Sequence, residues 1–377
     1  MKDMFYFLAL SFILLCSSCN SCGANKEKQI SYILERDTIM APYFNVRGFY
    51  ENDSGIYLYG LEGATVYIYK ENIEGHFEFD SYIHLPKQYA DSEDISEIEQ
   101  LVFINMDSVI IYHKNNIALF STKQDSLLKI FYHSRQDDWF DFIARGGTFL
   151  SWNKKRNTLP ILIIQSDYDK RTWLLDTEML AELSFENDTF SIFPVKYPYE
   201  PYNNQSFCDC YGVEPLFAFN GDVFVLVFKQ TPITYLYNAK NNYKDSLYLQ
   251  NSMYIPLPEP DTARYREVGL DFLYEVYLEH NFYTGMVYDE YNQVYYRFFN
   301  KAMPRKNADG LLNTIEDKEF GLTILDTNLQ IIGDVSWPLE ENRVVQYPTS
   351  KGLYGYPASS SGLPEAVIYK RKLVYEK

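Results

Sequence analysis

Short apolar runs, each followed by a polar turn and a second apolar run, recur along the chain from about residue 30 onward. Clear pairs of such runs occupy residues 56–69, 109–120, 223–237 and 285–298. Two apolar runs joined by turn-forming residues are typical of a β-hairpin. Because the runs are short and follow one another without helical periods between them, the pattern predicts an all-β fold.

The hairpins repeat on a larger scale, as units of three or four predicted strands. We place these units near residues 43–85, 97–133, 139–197, 207–257, 281–338 and 343–377. Four-stranded meanders that repeat about every 40 to 50 residues are typical of the blades of a β-propeller. Residues 30–377 are therefore predicted to form a propeller, for which six blades are favoured and seven are the alternative.

The last predicted unit is shorter than the others, and one segment departs from the strand pattern. Residues 30–34 read as a strand, and we expect them to complete the last blade and close the ring. Within residues 265–280, Val268, Phe272 and Val276 lie at near-helical spacing. This spacing predicts one short helix in the connection between two blades.

The first residues have the pattern of an export signal. An apolar run over residues 4–15 follows Lys2, and it is shorter than the roughly 20 residues that a membrane-spanning helix requires. A basic residue, a short apolar run and then small residues together predict a secretory leader. Of the cysteines that follow the run, Cys19 is the one with two serines directly before it.

This junction resembles a bacterial lipoprotein signal, in which the cysteine after the small residues is acylated and becomes the first residue. The resemblance implies a signal peptide over residues 1–18, a lipidated Cys19 with a flexible tether over residues 19–29, and the propeller over residues 30–377. Acyl chains hold a protein on a membrane without a spanning helix. The chain is therefore expected in the cell envelope, lipid-anchored in the outer membrane.

Composition narrows the classes of function. Aromatic residues make up 17% of the chain, with 35 Tyr and 26 Phe, which favours strands over helices. The formal net charge is −17, from 34 basic and 51 acidic residues. Because nucleic-acid binding depends on a basic surface, a body this acidic excludes nucleic acid as a partner.

The body carries little that indicates a metal, redox or cofactor site. Cys208 and Cys210 are its two cysteines, and they could be free or structural thiols, a local disulfide formed through a turn, or metal ligands. Metal is the least favoured of these, because a Cys-x-Cys pair lacks the second pair of ligands that a zinc site requires. No phosphate-binding loop or dinucleotide fingerprint occurs in the sequence, so we expect no cofactor.

Three residues are candidates for ligand binding: Arg145, Trp152 and Arg297. Each is a polar or aromatic residue beside an apolar run. In a propeller, such residues often face the central channel. The alternative is that each one packs within or on the sheets, as most residues of this kind do. No residue is identified as catalytic.

The layout also resembles a family of uncharacterised lipoproteins of Bacteroidota that carry a domain of unknown function. Beside the leader, the segments that support the resemblance are Tyr288-Asp289, Val294-Tyr295-Tyr296-Arg297, Leu322-Thr323-Ile324-Leu325-Asp326, Ile331-Ile332-Gly333-Asp334 and Lys351-Gly352-Leu353-Tyr354. The resemblance implies a propeller-like body and assigns no activity or catalytic residue.

A propeller presents a rigid face of loops, which favours a binding or scaffolding role over catalysis. The alternative is a hydrolase or lyase that acts on a glycan or peptide in the envelope, with carboxylates or arginines around the channel. A third alternative is a ligand-sensing accessory to a transport or signalling system. The expected partners are the membrane, through the lipid anchor, and an envelope protein or a glycan.

The lipoprotein signal makes a direct prediction. Cys19→Ala should abolish palmitate labelling and release the protein from the membrane fraction, because each buried CH₂ of an acyl chain contributes about 0.8 kcal/mol to membrane binding. Cys22→Ala is the matched control and should keep both the label and the membrane association. Labelling that persists in Cys19→Ala would contradict the assignment.

Overall fold

The structure is a computed structural model of the chain. It describes residues 30–40, 45–86, 98–113, 116–132, 134–135, 138–143, 151–167, 172–173, 178–187, 189–196, 215–229, 231–249, 261–314, 317–337, 344–357 and 365–375. Of the residues singled out above, Cys19, Arg145, Cys208 and Cys210 lie outside the described residues, as do the leader and tether predicted before residue 30.

Within the described residues, 26 strands form six antiparallel sheets, and four of the sheets are plain meanders in which each strand pairs with the next. Blade one contains β2 (Asn45–Asn52), β3 (Gly55–Glu62), β4 (Thr65–Glu71) and β5 (Phe77–His84). Blade two contains β6 (Ile98–Asn105), β7 (Ser108–His113), β8 (Asn116–Ser121) and β9 (Ser126–Tyr132). Blade four contains β16 (Pro215–Phe219), β17 (Val223–Phe228), β18 (Ile233–Asn238) and β19 (Tyr243–Tyr248). Blade five contains β20 (Phe282–Asp289), β21 (Val294–Asn300), β22 (Phe320–Leu325) and β23 (Ile331–Trp337).

Blades three and six depart from this plan. Blade three contains β10 (Ser134–Arg135), β11 (Asp138–Ile143), β12 (Leu159–Asp167), β13 (Thr172–Trp173), β14 (Glu178–Ser184) and β15 (Thr189–Lys196), with β13 paired to β12 beside the main path. Blade six contains β24 (Val344–Thr349), β25 (Gly352–Pro357), β26 (Glu365–Tyr375) and, as its outermost strand, β1 (Ile30–Met40). The predicted all-β propeller with six blades is confirmed.

The burial of each strand follows its place in the blade. In blade four, β17 reads Val-Phe-Val-Leu-Val-Phe and is buried along almost its whole length, because neighbouring blades cover both of its faces. The outermost strands β5 and β15 are largely exposed and bury only a few positions. A continuous apolar run therefore marks a strand in the interior of the ring, and a mixed run marks its rim.

Apolar clusters fill the space between successive blades. One cluster joins blades one and two, a second joins blades two to four, a third joins blades four and five, and a fourth joins blades five and six. The fifth, which includes Phe49, Phe77, Tyr354 and Tyr356, joins blade six back to blade one. The core is thus a ring of interfaces around the axis.

The ring is closed by pairing between the two ends of the described chain. All eleven residues of β1 pair with β26, from Ile30 opposite Tyr375 to Met40 opposite Glu365. The expectation that residues 30–34 supply the missing strand of the last blade is confirmed. Blade six therefore holds strands from both ends of the described chain, and the next strand after β1 is β2 of blade one.

A buried charge cluster reinforces the same joint. The side chain of Glu71, at the end of β4 in blade one, accepts hydrogen bonds from Lys351 Nζ at 2.7 Å, Tyr354 Oη at 2.9 Å and Lys370 Nζ at 3.1 Å, all from blade six. Lys370 is itself only 5% exposed and also lies over the ring of Phe77, 5.2 Å from its centroid. Buried charges are tolerated when they are paired and hydrogen-bonded, and here the pairing crosses the point of closure.

Two short helices, α1 (Thr262–Val268) and α2 (Leu270–Glu279), connect blades four and five. The prediction of one helix over residues 265–280 is therefore wrong in number. Gly269 adopts φ 61° and ψ −130°, a conformation that a helix does not contain and that glycine tolerates best. Neither helix, nor any other in the described part of the chain, is long and apolar enough to cross a membrane.

The two ends of the propeller differ. At one end, which we call the turn face, the first strand of each blade turns into the second, as at residues 53–54, 220–222, 290–293 and 350–351. The other end, the helical face, carries α1 and α2, because these join the outermost strand of blade four to the innermost strand of blade five. On α2, Phe272 and Val276 pack into the cluster shared by blades two to four.

Ring closure makes a prediction about stability. A chain that begins at residue 41 lacks β1 and leaves the eleven paired residues of β26 at an exposed edge, so its melting temperature should fall well below that of a matched chain that begins at residue 30. Thermal unfolding followed by circular dichroism measures the difference. Equal melting temperatures for the two chains would show that β1 does not close the ring.

Candidate functional site

A cavity of about 520 Å³ lies on the propeller axis, and residues from every blade line it. One lining residue from each blade, in chain order, is Glu51, Gln100, Trp152, Asn220, Tyr288 and Tyr347. Most of the lining residues come from the innermost strands β2, β6, β16, β20 and β24. Because no blade forms the cavity alone, its shape depends on the closed ring.

The mouth of the cavity is on the turn face. The lining includes residues 151–155, residues 220–221 and Glu290, Tyr291 and Gln293, which belong to connections between the first and second strands of blades three, four and five. These connections contain the Asx turns and the positive-φ Gln293 that let the chain reverse in a few residues. Short, well-bonded turns therefore build the rim of the mouth.

Blade three contributes a structured hairpin to the rim. Asn153 Oδ1 accepts hydrogen bonds from the backbone N–H groups of Lys155 at 3.1 Å and Arg156 at 3.3 Å, and its backbone bridges to Thr158. An asparagine that bonds its own following backbone stabilises a tight turn. The adjacent Trp152 is half-buried, with its ring 6.3 Å from that of Phe185, and it lines the cavity.

The carboxylate of Glu51, at the mouth, forms hydrogen bonds that connect three blades. Glu51 of blade one accepts a hydrogen bond from the backbone N–H of Ser350 at 2.8 Å and another from the Ser350 hydroxyl in blade six. Glu51 also bonds the side chain of Tyr291 in blade five, and burial together with this carboxylate raises the pKa of Tyr291 well above its usual value. Both carboxylate oxygens of Glu51 are therefore occupied by neighbouring blades.

The tyrosines of the wall keep their protons. Burial raises the pKa of Tyr50 and of Tyr288 above the ordinary value, and Tyr288 Oη donates to Gln293 Oε1 at 2.9 Å. An unionised phenol presents an aromatic face together with one hydroxyl that can donate or accept. These residues therefore offer neutral hydrogen-bonding groups, since none of them ionises near pH 7.

The charged groups of the lining balance. The lining contains two lysines, Lys154 and Lys155, and two glutamates, Glu51 and Glu290, so its formal charges cancel. Lys155 Nζ also lies 2.8 Å from Asp222, which bonds Lys240 at 2.9 Å. The hydrogen bond with Asp222 raises the pKa of Lys155, and the two lysines lower the pKa of Asp222.

The deep end of the cavity is closed by phenol rings that lie against a glycine. Tyr59 and Tyr347 both contact Gly48 in β2, at a position where the pairing of β2 with β3 shifts by one residue. Tyr59 Oη donates to the carbonyl of Leu101 in blade two at 2.7 Å, and Tyr347 Oη donates to the carbonyl of Arg47 at 2.9 Å. A β-carbon at position 48 would overlap the tyrosine side chains, so the close approach requires glycine.

The structure separates the candidates that the sequence singled out. Trp152 lies in the cavity wall. Arg297 lies elsewhere, fully buried between blades four and five, where Nη1 donates to Thr234 Oγ1 at 3.3 Å and Nη2 donates to the carbonyl of Leu249. Its guanidinium also sits over the ring of Tyr283, 4.3 Å from the centroid. The contacts of Arg297 thus join two blades, while Arg145, Cys208 and Cys210 lie outside the described residues.

Sequence reasoning missed most of the wall. Glu51, Gln100, Tyr288 and Tyr291 were not among the candidates for ligand binding, although each follows or lies within an innermost strand. The available signal was their position: in a propeller, the end of the first strand of every blade points toward one mouth. Among the described residues, no group of three or more His, Cys, Asp or Glu side chains could hold a metal ion.

Comparison with known proteins bears on the fold. Residues 161–335 match the model of a family described as a domain of unknown function (DUF4221). The solved structure of a member of that family from Bacteroides vulgatus is similar to this chain, with a TM-score of 0.65 at 13% sequence identity over 93% of this chain and 100% of that one. At this identity, the likeness concerns the fold alone.

A second solved structure, a luciferin-regenerating enzyme, aligns with 90% of this chain and 95% of its own at 10% identity, and its TM-score of 0.44 is too low to support an argument. No curated protein matches the chain. The expected resemblance to a domain of unknown function with a propeller body is confirmed. The lipoprotein signal stays a prediction.

The contact at the deep end predicts a specific coupling. Gly48→Ala would place a β-carbon 2.8 Å from Tyr59 Cζ and 3.0 Å from Tyr347 Oη, and such overpacking typically costs about 1–3 kcal/mol of the free energy of unfolding. The same substitution should cost less in a Tyr59→Phe background, which removes the hydroxyl that lies against it. Urea unfolding of the two single variants and the double variant measures the coupling, and strictly additive losses would contradict the contact.

Proposed function

We propose that this chain, whose residues 161–335 match a domain of unknown function, is an envelope-anchored propeller that binds an uncharged, polar ligand in its axial cavity. The observation that carries the proposal is the convergence of all six blades on one cavity of about 520 Å³. Ligand sites in proteins are typically concave and about 300–1,000 Å³ in volume, with a few placed polar groups among apolar ones.

The chemistry of the wall supports an uncharged ligand. The ionisable groups at the mouth balance in formal charge, and the pKa values of Tyr50, Tyr288 and Tyr291 are all raised, so the wall offers neutral hydroxyls. Aromatic faces from Trp152 and these tyrosines stand beside the amides of Gln100 and Gln293. Flat apolar faces with neutral donors and acceptors suit a glycan, which offers hydroxyl groups and C–H faces.

The rigidity of the wall supports a binding role. Glu51 is held by Ser350 and Tyr291, and Tyr288 is held by Gln293. A wall whose polar groups are fixed before the ligand arrives loses little conformational entropy on binding. The anchor proposed at Cys19 would keep this site in the envelope, with the membrane and a glycan as its partners.

A second candidate is a hydrolase or lyase that acts on a glycan or peptide. It is favoured by Glu51 and Glu290, two carboxylates that line the same mouth. Acid–base catalysis requires such a pair to face the reacting bond from both sides. Turnover of a bound glycan that disappears in both Glu51→Gln and Glu290→Gln would establish this candidate in place of the binding role.

A ligand panel tests the proposal. Neutral mono- and oligosaccharides are titrated into the full chain, and binding is followed by calorimetry and by tryptophan fluorescence, to which Trp152 contributes. A saccharide that binds should do so at least tenfold more weakly to Trp152→Ala and Tyr291→Ala, because each loses an aromatic face of the wall. A tenfold loss corresponds to about 1.4 kcal/mol of binding free energy.

The matched control is Tyr248→Ala, which removes a tyrosine that is 66% exposed on the outermost strand of blade four. This variant should bind as the unchanged protein does. Thermal unfolding of all three variants separates loss of binding from loss of fold. Equal weakening in the three variants, or binding of charged ligands alone, would overturn the proposal.

A further inference from the structure

Arg47 occupies an irregular position in β2, the innermost strand of blade one. Val46 pairs with Gly60 and Gly48 pairs with Tyr59, so Arg47 is the extra residue of a β-bulge. A bulge changes the direction in which the strand aims its side chains, and bulges are common next to functional sites. Arg47 directly precedes Gly48, the residue against which the phenol rings at the deep end of the cavity lie.

Arg47 lies outside the axial cavity. β2 runs from the helical face to the turn face, so Arg47 lies on the helical side of Gly48. Four residues separate it from Glu51 at the mouth, a distance of about 13 Å at the usual rise per residue. Arg47 does not line the axial cavity, although Tyr59 and Tyr347 do. These two phenol rings therefore mark the boundary between the cavity and the surroundings of Arg47.

The guanidinium of Arg47 lacks a protein partner within the part of the chain that the structure describes. Its Nε is enclosed and has no hydrogen-bond partner, and its side chain forms no ion pair with a described carboxylate. The residue as a whole is only half-buried, so the end of the guanidinium is open to a ligand. Buried arginines elsewhere do have partners, as in the bond from Arg371 Nη1 to Gln346 Oε1 at 2.8 Å.

The groups around Arg47 supply no negative charge. The side chains that act on its charge are Tyr59, Tyr347 and Tyr356. Burial raises the pKa of all three tyrosines, so they are uncharged at neutral pH. Burial also lowers the pKa of Arg47, because removal from water disfavours the charged form, yet an arginine stays protonated near pH 7. A positive charge withdrawn from water without a counter-charge is costly, and a bound anion would offset that cost.

We infer that Arg47 forms a second ligand site, on the helical side of the phenol rings, and that this site binds a carboxylate. The two parallel N–H bonds of a guanidinium match the two oxygens of a carboxylate. One guanidinium offsets one negative charge and the phenols offset none, so a singly charged carboxylate suits the site better than a phosphate dianion. This inference goes beyond the proposed function, since a neutral ligand of the axial cavity needs no counter-charge.

Binding of simple carboxylates to the full chain tests the inference. Sodium acetate and sodium propionate are titrated in Tris–chloride buffer at constant ionic strength, with inorganic phosphate as the comparison anion, and the melting temperature is followed. The carboxylates should raise the melting temperature, because they bind the folded state. In Arg47→Met the apparent affinity for acetate should fall at least tenfold. Arg305→Met removes an exposed arginine of the helical face, bonded to Glu275, and should keep the affinity unchanged.

A second measurement separates a ligand site from a structural role. In chloride buffer alone, Arg47→Met should melt at or above the temperature of the unchanged protein, because the charge that it removes has no partner. Arg371→Met should melt below it, because the bond to Gln346 is lost. The inference is overturned by a lower melting temperature for Arg47→Met, by no effect of the carboxylates, by an equal effect in Arg47→Met, or by a larger effect of phosphate.

The same variants distinguish this site from the axial cavity. Neutral saccharide binding should persist in Arg47→Met, and the effect of acetate should persist in Trp152→Ala. If saccharides bind and carboxylates have no effect, the inference fails and the proposed function stands. If carboxylates act through Arg47 and no neutral saccharide binds, the reverse holds.

Discussion

The joint between blade six and blade one is the constraint on which the rest of the structure depends. Each blade buries apolar faces against its two neighbours, so a ring left open would expose two such faces at once. The joint combines eleven paired residues in β1 and β26, an aromatic cluster around Phe49, and Glu71 bonded by two lysines and a tyrosine. Backbone pairing, apolar burial and charge therefore act at one place, and they connect residues about 300 positions apart in the sequence.

The geometry of the cavity depends on the closure of the ring. Its wall takes residues from all six blades, and Glu51 at the mouth is held by Ser350, 299 residues away, and by Tyr291. Such bonds form only when the first and last blades stand side by side. The raised pKa values of the wall tyrosines follow from the same packing, because burial by neighbouring blades is their largest cause. The chemistry of the site is thus a property of the ring rather than of any one blade.

This dependence explains which features could be predicted from the sequence. Hairpins are local, so the apolar runs of β17 and the turns that follow them indicated six blades with nearly correct limits. The break between α1 and α2 was missed because the apolar spacing continues across Gly269, and only its backbone angles separate the helices. In the wall, Trp152 was recognised as an aromatic residue beside an apolar run. For Glu51 and Tyr291 the sequence offers only their position at the end of a first strand, since their partners meet only in the closed ring.

Arg297 shows a second limit of prediction from the sequence, since it was a candidate for ligand binding and does not line the cavity. A lone arginine in an apolar strand suggests a ligand-binding group, because burying an unpaired charge is costly. The cost is offset here by Thr234, the carbonyl of Leu249 and the ring of Tyr283, so the guanidinium serves the contact between blades four and five. The same physical rule that makes a buried charge conspicuous in a sequence admits two solutions, a ligand or a neighbouring blade. In a propeller, every interior strand packs against another blade, so a neighbouring blade can supply the partners of a buried charge.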